Sequence, residues 1–299
     1  MIAIRSIVVA SDLSAPARRA VERAAMLAKR AGAPLALVQA VSGSALDELR
    51  RWLDAGHDVE RSIVEDARQR LHEFATAVAG RHAIEVVDRT ATGRSVEEIA
   101  RVADERNADL IVTGTLGAGL IRHHLVGSTA ERVVRKSARP VLMVRQSVHE
   151  TYRRVLVPLD FSAWSAPSLD IALAVAPGAH FVLVHCIEIP FEGRLRLAGV
   201  EGVVVERCRS AARADAERQM AELATRAGLA REQWTAVTPT GVDPWLAVVR
   251  LEQEHDCDLV VIGKHGRNAV EELLLGSTTN RVIAQGESDV LVSARRDPP

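Results

Sequence analysis

Two stretches of the chain carry residues whose types and spacing suit one kind of chemistry. "GTLGAGLIRHHLVGST" (Gly114 to Thr129) and "GKHGRNAVEELLLGST" (Gly263 to Thr278) share the pattern G-x2-G-x9-G-S-T. In each, the first two glycines follow a short apolar run, and the third precedes a segment of helical character. Glycine admits a positive φ and lets the backbone approach another group closely. A helix N-terminus offers unpaired N–H groups and the positive end of the helix dipole. Together these parts make a cradle for an anion, most simply for phosphates. The dipole alone contributes about 0.3–2 kcal/mol, so several N–H bonds and the serine hydroxyl must add to it. The cradle residues are Gly114, Gly117, Gly127, Ser128 and Thr129, and again Gly263, Lys264, Gly266, Gly276, Ser277 and Thr278.

Two better-known phosphate motifs are excluded. A P-loop needs lysine immediately before the hydroxyl residue, but Val126–Gly127–Ser128 and Leu275–Gly276–Ser277 have none there. The dinucleotide fingerprint needs G-x-G-x-x-G in the first βα turn. That turn instead carries Asp12–Leu13–Ser14 and Asp160–Phe161–Ser162. An aspartate ending strand one faces the glycines of strand four across the switch point when the strand order is 3-2-1-4-5. There it can accept from ribose hydroxyls or an adenine amino group.

The elements that position these residues recur. "IVVASDLSAPA" from Ile7 matches "VLVPLDFSAWS" from Val155, and "ADLIVTGTLG" from Ala108 matches "CDLVVIGKHG" from Cys257. Asp160 follows Asp12 by 148 residues, Gly241 follows Gly93 by 148 and Gly263 follows Gly114 by 149. Near-constant offsets mean a duplicated domain, with repeats at 1–147 and 152–299 joined through "QSVHETY".

Within the first repeat, Ile4–Ala10, Pro34–Val41, Ile84–Arg89, Leu110–Thr113 and Val141–Val144 read as strands. Ala15–Ala31, ending at Gly32, reads as a helix. Val59–Ala79 reads as a second, with apolar residues at helical spacing. Ser95 with Glu98 predicts a capping box for a third helix, to Arg106. Ser128 starts a fourth. Alternating βα units predict an α/β fold: two tandem open five-stranded parallel sheets with helices on both faces. The fifth strands would be bare edges, and edge strands tend to be paired or covered, so Val141–Val144 and Val290–Ser293 are expected at a contact between the repeats.

Composition narrows the class. The chain has 299 residues, 47% hydrophobic and 26% charged, with a net charge of −1. That balance argues against a broad nucleic-acid footprint. No apolar run reaches the length of a membrane span. Cys186, Cys208 and Cys257 form no CxxC pair; a reducing cytoplasm suits them. His123–His124 lacks a third spaced ligand, so no metal site is expected.

At the aspartate and glycine motifs the chain resembles the universal stress protein family in its tandem form, over nearly its whole length. The resemblance implies a five-stranded parallel sheet in each repeat and ATP, AMP or a related adenine nucleotide in each cradle; for slow ATP hydrolysis, Mg2+ held through the phosphates and water would suffice. It implies that Asp12 and Asp160 contact adenine or ribose, and that Val41 and Ile187 offer backbone groups to adenine. The glycines and Ser128 or Ser277 would hold ribose and phosphates. The repeats are expected to pair as a pseudo-dimer within one chain, which allows a further homodimer. The first repeat departs from the second where Thr115–Leu116 replaces Lys264–His265, which predicts a weaker phosphate grip. Glu271 and Glu272 precede the second cradle. No activated nucleophile is visible, so the expected role is a nucleotide-binding stress-response regulator, at most a slow ATPase, acting on an unknown protein partner. Two alternatives stay open: a protein- or apolar-ligand-binding scaffold with vestigial sites, and an adenylyl-transfer or hydrolysis enzyme using Lys264–His265.

Overall fold

The structure is a computed structural model that describes residues 2–53, 57–115, 128–189, 194, 197, 201–266 and 275–294. It divides into two compact units, one formed by residues 2–151 with the segment from Glu287, the other by Tyr152–Gly286. No helix among the described residues is long and apolar enough to cross a membrane.

The first unit runs β1 (Ile7–Ala10), α1 (Ala15–Ala31), β2 (Leu35–Ser42), α2 (Gly43–Leu53), α3 (His57–His82), β3 (Val86–Gly93), α4 (Ser95–Glu105), β4 (Leu110–Gly114), α5 (Ser128–Lys136) and β5 (Val141–Val144). Its strands lie in the order β3-β2-β1-β4-β5, all parallel. The core is aliphatic: Ile7, Val8, Val9, Leu35, Leu37, Leu110 and Leu142 are fully buried, each contributing about 1.5–3 kcal/mol by leaving water.

Helix α1 has the predicted bounds for local reasons. The Ser14 hydroxyl accepts from the Ala17 N–H at 3.4 Å, Pro16 sits in the first turn, and Gly32 closes the helix at φ 63°. Helix α4 starts one residue earlier than predicted, with Ser95 as its first helical residue, and lacks the capping box. Arg94 is the N-cap and makes no side-chain cap bond. The Glu98 carboxylate instead accepts from Arg101 at 3.1 and 2.5 Å. A cation one turn along competes for the carboxylate better than a neutral backbone N–H does. Helix α2 was not expected, and β3 runs four residues past its predicted end because it pairs with β2 through Ser42↔Gly93.

The second unit holds β6 (Arg154–Pro158), α6 (Ser165–Val175), β7 (His180–Val184), α7 (Gly202–Ala227), β8 (Trp234–Val237), α8 (Pro244–Glu254), β9 (Leu259–Gly263) and α9 (Ser277–Gln285). Its parallel strands lie in the order β9-β6-β7-β8. The last strand, β10 (Asp289–Ser293), belongs to the first unit. There it pairs antiparallel with β5, Leu291 opposite Leu142. The compact units therefore do not coincide with the sequence repeats. The expected pairing of the two fifth strands is present, and it takes β10 out of the unit that precedes it.

The repeats share backbone detail beyond strand order. Leu13 and Phe161 adopt φ 62° and 58°, and Asn107 and Asp256 both adopt φ 46°. Asp109 accepts from the N–H groups of Arg5 and Ser6 at 2.6 and 3.1 Å, while Asp258 accepts from those of Arg153 and Arg154 at 2.7 and 3.2 Å. Each aspartate ties the entry of its strand one to strand four.

Candidate functional site

Strand one of each repeat delivers its aspartate into a strained turn. In the second unit, Asp160 Oδ1 accepts from the Ser162 N–H at 2.9 Å and the Ser165 hydroxyl at 3.1 Å. In the first, Asp12 Oδ1 accepts from the Ser14 N–H at 3.0 Å. Neither aspartate is the helix N-cap: Ser14 caps α1 and Trp164 precedes α6. The residue that follows each aspartate is left-handed although it carries a Cβ, a conformation that costs roughly 1–2 kcal/mol.

The motif glycines serve close approach. None of Gly114, Gly263, Gly266 and Gly276 has a positive φ; Gly276 has φ −55°. A methyl group at Gly114 would lie 3.0 Å from the Pro16 carbonyl, and one at Gly263 would lie 3.1 Å from the Trp164 Cβ. Both glycines thus let the end of strand four lie under the start of the helix that follows strand one. A methyl group at Gly266 would lie 3.2 Å from Asp160 Oδ2. The strand-one aspartate and the second motif glycine are therefore neighbours, as the switch-point arrangement requires.

Gly276 is the N-cap of α9, and its N–H donates to the Lys264 carbonyl at 3.0 Å. The Thr279 hydroxyl donates to the Gly263 carbonyl at 2.8 Å. These two bonds dock the helix N-terminus on the strand-four loop. Thr279 was missed in the sequence because it lies one residue beyond the repeated motif. Ser277 is exposed and Thr278 half-buried at the helix start. Lys264 and His265 are buried at 7% and 6% exposure, and the His265 ring lies 5.2 Å from that of Trp164.

In the first unit, Gly114 ends β4, Thr115 is buried, Ser128 opens α5 and Thr129 is exposed. Gly117, Gly127 and the His123–His124 pair lie outside the described residues, as do Glu271 and Glu272. Val41 sits half-buried in β2 opposite Thr92. Ile187 is buried in a bridge with Thr240, and its N–H donates to the Pro239 carbonyl at 2.9 Å. That N–H is thus committed to the sheet. Beside Ile187, burial and then Glu188 push the Cys186 thiol up to about 11.

Comparison with known proteins agrees with this architecture. The universal stress protein family matches residues 3–145 and again 151–294. A universal stress protein of Mycolicibacterium smegmatis is 27% identical over 96% of both chains. One from Mycobacterium tuberculosis is 33% identical over 48% of this chain and 98% of its own. The crystal structure of a universal stress protein from Archaeoglobus fulgidus covers 97% of this chain and 98% of its own, with TM-score 0.66 at 22% identity, which bears on fold alone. Two family matches in tandem, on a sheet that brings the strand-one aspartate to the strand-four glycines, show that the chain belongs to the universal stress protein family.

Proposed function

We propose that each repeat binds an adenine nucleotide and that the chain works as a nucleotide-responsive regulator. The observation that carries this reading is the apposition of Asp160 Oδ2 and Gly266 at the C-terminal ends of β6 and β9. An acceptor for ribose hydroxyls there adjoins backbone able to approach phosphates, with the start of α9 docked beside it. Ligands of open α/β sheets bind at this position, and anions favour a helix N-terminus. In the first repeat the same role falls to Asp12, Gly114, Gly117, Gly127, Ser128 and Thr129, with Val41 near the base. In the second it falls to Asp160, Gly263, Gly266, Gly276, Ser277 and Thr278, with Ile187 near the base.

The burial of Lys264 and His265 favours a regulator over an adenylyl-transfer enzyme. Transfer would need one of them at the α-phosphate, whereas both side chains pack into protein. A magnesium ion would travel on the phosphates, which can hold it with water and few protein ligands. The protein would be purified without added nucleotide, its released ligand identified by mass, and ATP titrated calorimetrically. Two ATP per chain is the expected stoichiometry. No adenine nucleotide released and no heat on titration would overturn the reading.

A further inference from the structure

We propose that Phe161 and His185 form a stacking platform for the nucleobase in the second repeat, and that Leu13 and Gln39 leave the first repeat without one. The two sites then read the base differently. The inference rests on nucleotide binding at the cradles.

The register places these residues at the site. Strands β6 and β7 pair as far as Pro158 opposite Val184, after which the Leu159 N–H donates to the Val184 carbonyl at 2.7 Å. His185 is the next residue, level with the Asp160 turn. Its Nδ1–H donates to the Leu159 carbonyl at 2.7 Å. Its ring lies 4.4 Å from the Phe161 ring at 31°. Both side chains are half-buried. Phe161 holds φ 58°, and strained backbone of this kind gathers at ligand sites. Phe161 follows Asp160 directly in the chain, and Asp160 Oδ2 lies 3.2 Å from where a methyl group at Gly266 would be, so the ring pair, the carboxylate and the glycine loop share one end of the sheet.

The first repeat builds the same turn from different parts. Ala10 lies opposite Val38, and the Ser11 N–H donates to the Val38 carbonyl at 2.9 Å, so Gln39 occupies the place of His185. The turn is held by the Ser11 hydroxyl, which accepts from the Leu13 N–H at 3.1 Å, and by Arg18 Nε, which donates to the Leu13 carbonyl at 2.9 Å. The Arg18 guanidinium lies 5.5 Å from the Phe74 ring, but neither Leu13 nor Gln39 brings a ring to the turn. Gln39 Oε1 is buried with no hydrogen-bond partner among the described residues, so this position carries a side-chain amide in place of an aromatic ring. The turn conformation survives the change, with Leu13 at φ 62°. What differs between the repeats is the surface shown to the base.

Each repeat supplies the other's control, because both residue pairs already occur on this backbone. The full chain would be compared with Phe161→Leu/His185→Gln and with Leu13→Phe/Gln39→His. ATP would be titrated calorimetrically, and tripolyphosphate, which has no base, would be competed against it. Stacking of one base on an aromatic side chain corresponds to about tenfold or more in affinity. Phe161→Leu/His185→Gln is expected to weaken one of two ATP sites about tenfold while leaving tripolyphosphate affinity unchanged. Leu13→Phe/Gln39→His is expected to strengthen the other. Unchanged ATP affinity overturns the proposal, and so does an equal loss for ATP and tripolyphosphate, which would make the pair a support of the turn only. A wild-type chain that binds no ATP overturns the nucleotide reading itself, a result distinct from either of these.

Discussion

The Arg23 guanidinium lies 3.5 Å from the carboxylate of Asp289, and both side chains are buried, at 5% and 0% exposure. Arg23 projects from the middle of α1 and also donates to the Glu150 carbonyl at 2.7 Å. Asp289 begins β10 and accepts from the N–H groups of Arg145 and Gln146 at 2.7 and 3.0 Å. One ion pair thus joins the first long helix, the end of β5 and the last strand. The repeat offset puts Ile171 opposite Arg23 and Pro140 opposite Asp289, so the pair has no counterpart elsewhere in the duplication.

Removing one member of a buried ion pair leaves the other charge without compensation, at about 3–5 kcal/mol. Asp289→Ala is expected to lose that much, because two backbone N–H groups lose their acceptor as well. Urea denaturation measures it. Hydrogen exchange should show the amides of Val290, Leu291 and Val292 losing protection first. A loss below about 1 kcal/mol would mean that the ion pair contributes little to holding β10.

The motif glycines should separate by what surrounds them. Gly114→Ala and Gly263→Ala put a methyl group about 3.0–3.1 Å from backbone or Cβ atoms, and are expected to cost about 1–3 kcal/mol. Gly276 has more room, with the Lys264 carbonyl at 3.4 Å, and a φ that any residue adopts. Gly276→Ala should therefore fold with nearly wild-type stability. Thermal melts of the three variants decide this, and equal losses at all three would refute the distinction.

The buried thiols predict a pH dependence. Burial first, then neighbouring carboxylates, raises Cys257 from 9.0 to about 12, and Cys186 from 9.0 to about 11. Above pH 9 the unfolded thiols release protons that the folded thiols keep. The folded state then binds more protons, so stability is fully present below pH 9 and falls as pH rises toward 11–12. Cys257→Ala should flatten part of this decline. At pH 8 in the folded protein, exposed Cys208 should react with a thiol reagent well before the other two.

Ala83 ends α3 at φ 52°, and the corresponding helix end in the other repeat carries Gly228 at φ 82°. Ala83 is exposed, so its methyl group packs against little. Ala83→Gly is expected to stabilise the protein by about 0.5 kcal/mol, the relief of left-handed strain exceeding the entropy that glycine adds to the unfolded chain. A lower melting temperature would contradict this.

Much of this architecture was legible locally. Helix α1 and strand β5 carry their boundaries in adjacent residues: Ser14, Pro16 and Gly32 for the helix, and an uninterrupted apolar run for the strand. The duplication made the strand order a single problem solved twice, and the pairing of Asp160 with the glycine loop followed from it. The Ser95–Glu98 cap failed because a short motif cannot show that Arg101 competes for the same carboxylate.

By itself, then, the sequence determined whatever depends on near neighbours and on repetition: helix ends, apolar strands, the doubled fold and the aspartate–glycine motif of its family. Tertiary structure decided what depends on groups far apart in the chain. Arg23 and Asp289 are 266 residues apart, and nothing in either local sequence marks an arginine on an alanine-rich helix as the buried partner of the last strand. The same holds for the glycines. Composition allowed either positive φ or close approach, and only the packing of Pro16 on Gly114 and of Trp164 on Gly263 selected the second. Lys264, a cradle cation by its place in the motif, is buried because burial is a property of the assembled layers and no local pattern encodes it.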